Sequence, residues 1–399
     1  MFTRCCLWVL LLYLGVGRLP LLHAVPLPLS SQATVSVLTC APGPEMYALF
    51  GHSALRITDP RRGFDRVYNY GTFDFETPHF YWRFMRGDLR YFLSASPFSD
   101  FLATYQLENR VVSEQLLALQ PQETRRLYSH LETTLHSSAR FYRYQFFADN
   151  CTTRLWQDIQ ASVETPIQVD STYAQPPRTY RQLLAPYLAP APWVNLGMNL
   201  GLGWPADRAT TFRQQVFLPL ALQEALQHTR RAQRPFAGPT HALFAAQALS
   251  IPPPSWWPPA HCVLGLGLVL LLAQDLPRHY DLIRRSIQFA LLASAGLVGC
   301  LLLGLMLFSL HTPVHLNYQL LWLLPTHLGL AVARPTRRWR QYASVAAGLL
   351  VLSGLFGWIV YYAHLLPAVV LLLMVLLLQV VLFVRPIRNR QLPISKAAQ

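Results

Sequence analysis

The sequence lacks the short signatures that mark most metal and serine enzymes. It has no Cys-x-x-Cys pair and no His-Glu-x-x-His run, so metal chemistry has no ligand set, and no Gly-x-Ser-x-Gly turn presents a serine nucleophile. No cofactor is expected. Charge is scarce: 13% of the 399 residues are charged, with 33 Lys and Arg against 19 Asp and Glu, for a formal net charge of +14. The cations are almost all arginine, and many lie in connectors between apolar runs, where membrane topology explains them. No stretch interleaves clustered cations with aromatics, which discounts nucleic acid as a partner. Cysteine is equally thin. Cys5 and Cys6 fall in a leader and Cys262 and Cys300 in apolar spans, which leaves only Cys40 and Cys151, too few for a disulfide framework. Either these two bridge each other, and neither is a nucleophile, or a free thiol remains.

Apolar content is uneven enough to put the two halves in different solvents. Arg4, an apolar run from Cys5 to Gly17 and Leu21-Leu22-His23-Ala24 suit a secretory signal over residues 1–24, either cleaved or kept as an anchor; in both cases the next segment is exported. Residues 34–235 read as an α+β domain built on a small antiparallel sheet with packed helices. Thr34 to Thr39, His52 to Thr58 and Arg66 to Thr72 are predicted strands, the last two a hairpin about Asp59-Pro60-Arg61-Arg62-Gly63. Further strands are expected over Leu89 to Leu93, Arg110 to Leu117 and Phe141 to Phe147. Helices are expected over Pro78 to Met85, Phe98 to Tyr105, Gln120 to His136, Cys151 to Ala161 and Thr210 to Arg231.

Residues 236–256 read as a Pro-rich linker, 257–385 as an all-α transmembrane bundle of about five helices, and 386–399 as a cytoplasmic tail. The spans run near Trp257 to Ala273, Ile287 to Leu310, Leu316 to Val332, Tyr342 to Tyr362 and Leu366 to Val384. Connectors at Arg278 to Arg285, Arg334 to Arg340 and Arg385 to Arg390 are cationic, whereas His311 to His315 and His364-Leu365 carry no Lys or Arg. Cationic loops inside put the N-terminal domain outside, in agreement with the signal.

Cys151 follows a polar Asp149-Asn150 pair that can cap a helix, so its sulfur falls in a first turn that favours an anion. Behind Gly51, His52 opens a strand where an imidazole could approach that turn. A third group must accept the second ring N–H; Asn69 is the candidate because its strand pairs with that of His52, with Asp74 and Glu45 competing. Backbone N–H groups of Cys151 and Thr152 are the expected oxyanion donors. Arg56, Arg110 and Arg154 either fork a lipid phosphate or form internal salt bridges with residues such as Glu114 and Asp149. The aromatics Phe80, Tyr81, Trp82 and Phe84 either dip into a bilayer, line an acyl groove or pack in the core.

Five runs together resemble a known family. They are Cys40-Ala41-Pro42-Gly43, Leu49-Phe50-Gly51-His52-Ser53-Ala54-Leu55-Arg56-Ile57, Tyr68-Asn69-Tyr70-Gly71-Thr72-Phe73-Asp74-Phe75, Asn109-Arg110 with Glu114-Gln115, and Phe146-Phe147-Ala148-Asp149-Asn150-Cys151-Thr152-Thr153-Arg154. Over roughly residues 34 to 235 the chain resembles the Lnb N-terminal periplasmic domain. The resemblance implies a circularly permuted papain-like fold of the NlpC/LRAT type, in which His precedes Cys, the order seen here. It implies a bacterial inner-membrane lipoprotein N-acyltransferase: a phospholipid donates an acyl chain to the Cys151 thiol, with His52 as base and then acid, and the α-amine of a diacylglyceryl-cysteine on a diacylated lipoprotein accepts it. Rival expectations are a cell-wall amidase or peptidase, a phospholipase or thioesterase, and a non-enzymatic membrane anchor or transport component.

Overall fold

A computed structural model describes residues 28–169, 178–247, 258–273, 281–334, 336–361 and 367–384. The expected signal, the Pro252-Pro253-Pro254 stretch, the Trp256-Trp257 pair and the tail at 386–399 lie outside the described residues.

Strands β1 (Thr34–Cys40), β2 (His52–Asp59), β3 (Phe64–Phe73), β4 (Arg90–Pro97), β5 (Val112–Leu116) and β6 (Phe141–Arg143) join a late strand, β10 (His241–Phe244), in one antiparallel sheet ordered β10-β5-β1-β2-β3-β4-β6. Side chains alternate across it, so each face buries its own set. Val35, Val37, Leu55, Ile57 and Tyr68 pack against helices α3 (Pro121–Leu135) and α4 (Cys151–Ser162) through Leu127, Leu131, Leu155, Trp156 and Ile159. The opposite face buries Leu38, Cys40, Ala54 and Val67 under Phe101 and Tyr105 of α2 (Phe98–Leu107). The short aromatic α1 (Phe80–Arg86) bridges β3 and β4. Helix α3 begins where expected because Pro121 sits in its first turn and the Glu123 side chain accepts from the Gln120 N–H at 2.8 Å.

The C-terminal part of this domain carries β7 (Gln168–Val169), α5 (Tyr180–Leu188), α6 (Pro192–Gly201), α7 (Phe212–Gln215), α8 (Pro219–Gln227), β8 (Thr229–Arg231) and β9 (Arg234–Pro235). Three expectations are corrected. The aromatic strand ends at Arg143, because residues 145–149 fold into a turn, with the Asp149 N–H donating to the Gln145 carbonyl at 2.8 Å, and Phe146 and Phe147 pack instead against Phe217. The single helix expected over Thr210 to Arg231 is broken: Pro219 has no N–H to continue one and opens α8, and Thr229–Arg231 is strand. The sheet also extends past the boundary expected at 235, because β10 pairs with β5 through His241 and Glu114.

The helical region contains α9 (Pro259–Ala273), α10 (Asp281–Phe308), α11 (His327–Val332), α12 (Arg337–Tyr361) and α13 (Pro367–Val384). Helix α10 is long and apolar enough to cross a membrane. The stretch expected to be one span over Leu316 to Val332 differs: a 3-10 turn at Tyr318–Leu321 precedes the short α11, and Pro325 lies between them. This irregular backbone is covered by protein, with Trp322, Leu323 and Leu330 buried against Leu292, Ala343 and Leu350.

The domain is seated on the connector that follows α10. The Gly203 N–H donates to the Pro313 carbonyl at 2.8 Å, Asn317 Nδ2 to the Leu200 carbonyl at 2.8 Å, and the Leu310 N–H to the Arg86 carbonyl at 2.7 Å. Gly203 is required here by close approach, since a β-carbon would stand 2.0 Å from the His315 carbonyl oxygen. Gly203→Ala is therefore expected to destabilise the junction by about 1–3 kcal/mol, read as a lower midpoint in thermal unfolding of the detergent-purified protein.

Candidate functional site

Inside the sheet, beside the start of β2, the β3–β4 pairing is shaped by a break in its register. β3 and β4 pair regularly to Asn69 and Ser94, then slip before resuming at Thr72 and Phe92. Such an irregularity turns side chains out of strict alternation. It falls beside His52, the first residue of β2, which is aligned with Cys40 of β1.

Asn69 fixes the imidazole. Its Oδ1 accepts from the Gly71 N–H at 2.6 Å and lies 2.7 Å from His52 Nε2. Because a backbone donor already identifies that atom as the acceptor, Nε2 must carry the ring proton, which leaves Nδ1 for the Cys151 thiol. Gly71 makes room: a β-carbon there would stand 2.3 Å from His52 Cε1 and 3.0 Å from Nδ1.

Cys151 is the first residue of α4, and Asn150 caps the helix. Asn150 Oδ1 accepts from the N–H groups of Thr152 and Thr153, both at 2.9 Å, while its Nδ2 donates to the carbonyls of Phe146 and Phe217. The cap thereby ties the turn that carries the sulfur to two neighbouring segments. Burial pushes the thiol pKa up, but the charge and hydrogen bond of His52, the Ser53 N–H and the Thr152 hydroxyl, whose Oγ1 is 3.7 Å from Sγ, outweigh it and bring the pKa down to about 7. The reciprocal effect acts on His52. Burial disfavours its cation, yet the Cys151 thiolate and Asn69 raise its pKa above the usual value. Cys151 is half-buried and Cys40 fully buried; both are free thiols, and burial pushes Cys40 up to about 12. Among the described residues no three His, Cys, Asp or Glu side chains converge as a metal site requires.

Residues 29–185 match the family described as the Lnb N-terminal periplasmic domain, and residues 253–390 match the Lnb transmembrane domain. The chain belongs to the Lnb family. It is a membrane protein of that family, with an N-terminal domain of the periplasmic type and a C-terminal helical region. Neither the comparison with curated proteins nor that with solved structures returned a match.

Within this Lnb protein the other expected site residues separate. Thr152 cannot offer its N–H to an oxyanion, because Asn150 already accepts it; the Cys151 N–H takes no part in the cap. Asp149 accepts two hydrogen bonds from Arg154, at 2.6 and 2.8 Å, and that guanidinium lies 3.8 Å from the centre of the Tyr142 ring. Arg56 forks Asp65 at 2.6 and 2.7 Å, reaches Glu114 at 3.1 Å and stacks on Phe98. Arg110 is buried and held by Glu108 and the Ala41 carbonyl. Their guanidinium groups brace the domain, so the expectation that they fork a lipid phosphate gives way to the salt-bridge alternative. Asp74 and Glu45, the alternatives to Asn69, are exposed, and Asp74 accepts from the Glu76 N–H.

Ser53 and Gly71 contribute to the site without having been singled out by their chemistry. A backbone N–H carries no side-chain signal, but an isolated glycine inside a strand pattern does point to close approach. Alkylation of Cys151 by iodoacetamide should follow a pH profile with its inflection near 7. His52→Ala should move the inflection upward, because burial then acts unopposed by the imidazolium. Gly71→Ala should slow alkylation at pH 7 by about tenfold through displacement of the ring; an unchanged rate would contradict the packing described.

Proposed function

We propose that this Lnb protein is a thiol acyltransferase that moves an acyl chain from a phospholipid to the α-amine of a lipoprotein diacylglyceryl-cysteine, with Cys151 as nucleophile and His52 as proton carrier. One observation supports it above the others: a thiol whose pKa is brought down to about 7 beside an imidazole whose far nitrogen is held by Asn69. The fold we read as the permuted papain-like arrangement, since the histidine strand precedes the cysteine helix in the chain.

In the first half-reaction the Cys151 thiolate attacks a phospholipid ester carbonyl, and the carbonyl electrons move to oxygen. The oxyanion meets the N–H of Cys151 at the start of α4 and the positive end of that helix. On collapse the C–O bond breaks, and the lysophospholipid alkoxide takes the proton from the His52 imidazolium. This leaves a thioester and a neutral imidazole. In the second half-reaction the lipoprotein amine attacks the thioester, His52 takes a proton from the amine, and the thiolate departs as the amide forms. Asn69 keeps Nδ1 aimed at the sulfur throughout both halves.

Topology suits this substrate pair. The domain contacts the connector from Ser309 to Asn317, which carries no Lys or Arg, whereas Arg334, Arg337, Arg338 and Arg340 lie beyond α11. By the charge rule the first connector and the domain are periplasmic and the arginines cytoplasmic.

Expressed in a bacterium without lipoprotein N-acyltransferase activity, the wild-type chain should yield triacylated lipoprotein N-termini by mass spectrometry. Cys151→Ala should reduce that product by more than about 10³-fold and Asn69→Ala by about 10²-fold, through loss of the nucleophile and of ring orientation respectively. Only diacylated product with wild type would overturn the reaction. Lysophospholipid release without acylated lipoprotein would identify water as the acceptor.

A further inference from the structure

Helix α1 leaves an aromatic edge uncovered. Tyr81 is 75% exposed, Phe75 58% and Trp82 46%, and Phe84 and Met85 are also exposed. So many large apolar side chains on one short segment form a patch of the kind that marks a contact surface. Phe73, Phe75, Phe80 and Tyr81 touch in series, so the patch is preformed and rigid.

The position of α1 identifies what covers the patch. Its C-terminal carbonyls are held by the end of α10: Ser309 Oγ donates to the Met85 carbonyl at 3.0 Å and the Leu310 N–H to the Arg86 carbonyl at 2.7 Å, while His311 Nε2 lies 3.1 Å from the Phe84 carbonyl. Helix α10 has 28 residues, or about 42 Å at 1.5 Å per residue, enough to cross the hydrocarbon with its end at the surface. A segment bonded to that end therefore lies at the depth where Trp and Tyr concentrate. The cations in and beside it, Arg83, Arg86 and Arg90, suit anionic headgroups at the same level.

We propose that the aromatic edge of Phe75, Tyr81, Trp82 and Met85 is inserted into the interface of the leaflet facing the domain, so that phospholipid covers it. The edge is continuous with the surroundings of the thiol. Phe84 stacks on Tyr144 with ring centres 6.1 Å apart, and Tyr144 on Tyr91 at 4.1 Å. Tyr91, Tyr144 and Cys151 pack in the same apolar cluster, and after burial the charge of Cys151 is among the causes that raise both phenols. Resting on the acyl-transfer reading, this edge is where a donor chain leaves the bilayer for Cys151.

The test places photoreactive benzoylphenylalanine at Tyr81 or Trp82 in the full chain, reconstituted into vesicles of phosphatidylethanolamine and phosphatidylglycerol. Arg61, exposed in the turn at the far end of β2 and β3, is the control position. Irradiation and mass spectrometry should show phospholipid adducts about tenfold more abundant at 81 and 82 than at 61. Yields no greater than at 61, or adducts to a second protein chain, would overturn the proposal. The same measurement in Cys151→Ala needs no turnover, so its result is independent of the acyl-transfer reading.

Discussion

The attraction between a sulfur anion and an imidazolium, in a place too buried to favour either charge alone, is the interaction on which the proposed site depends. Burial raises the thiol and lowers the imidazole, and each charge is the main compensation for the other. A displacement of either partner would therefore weaken both. The surrounding features oppose such displacement: the Asn150 cap holds the sulfur-bearing turn, Asn69 holds the ring, and Gly71 leaves the space the ring occupies. The register slip in β3 is the backbone feature that brings Asn69 and Gly71 to the same imidazole.

A second constraint is the seat of the domain on the helical region. The Leu200–Trp204 and Met85–Arg86 segments bond to the same connector after α10, so the sheet is held by two separated points. Two attachments restrict rotation where one would permit it. For the proposed reaction, which would draw one substrate from the bilayer and the other from a membrane-anchored protein, a fixed height and tilt of the thiol is a direct advantage.

Much of this was legible in the sequence because it depends on local pattern. Alternation in Thr34–Cys40 and His52–Asp59, and Leu127 and Leu131 in four-residue steps, carry the sheet and its main helix. The pairing of β2 with β3 made Asn69 readable as a neighbour of His52, whereas Asp74 and Glu45 had only their chemistry to recommend them. What was not legible depends on distant partners. Phe141 to Phe147 reads as one strand, and only the fold shows Phe146 and Phe147 turned against the distant Phe217; β10 resembles linker because its pairing partner lies over a hundred residues earlier, at Val112–Leu116. The arginines illustrate the same limit. Arg56 and Arg154 look available in one dimension, and only the fold shows Asp65, Glu114 and Asp149 already engaged with them.

The central claim is that the Cys151 sulfur becomes an acyl ester carrier. Intact-mass and peptide mass spectrometry of the purified full chain, after incubation with phospholipid and without a lipoprotein acceptor, tests it most directly. A hydroxylamine-labile mass increase of one acyl chain, located on Cys151 and missing in Cys151→Ala, is the expected result. No adduct on a chain whose Cys151 remains freely alkylated, or an adduct on another residue, would contradict it.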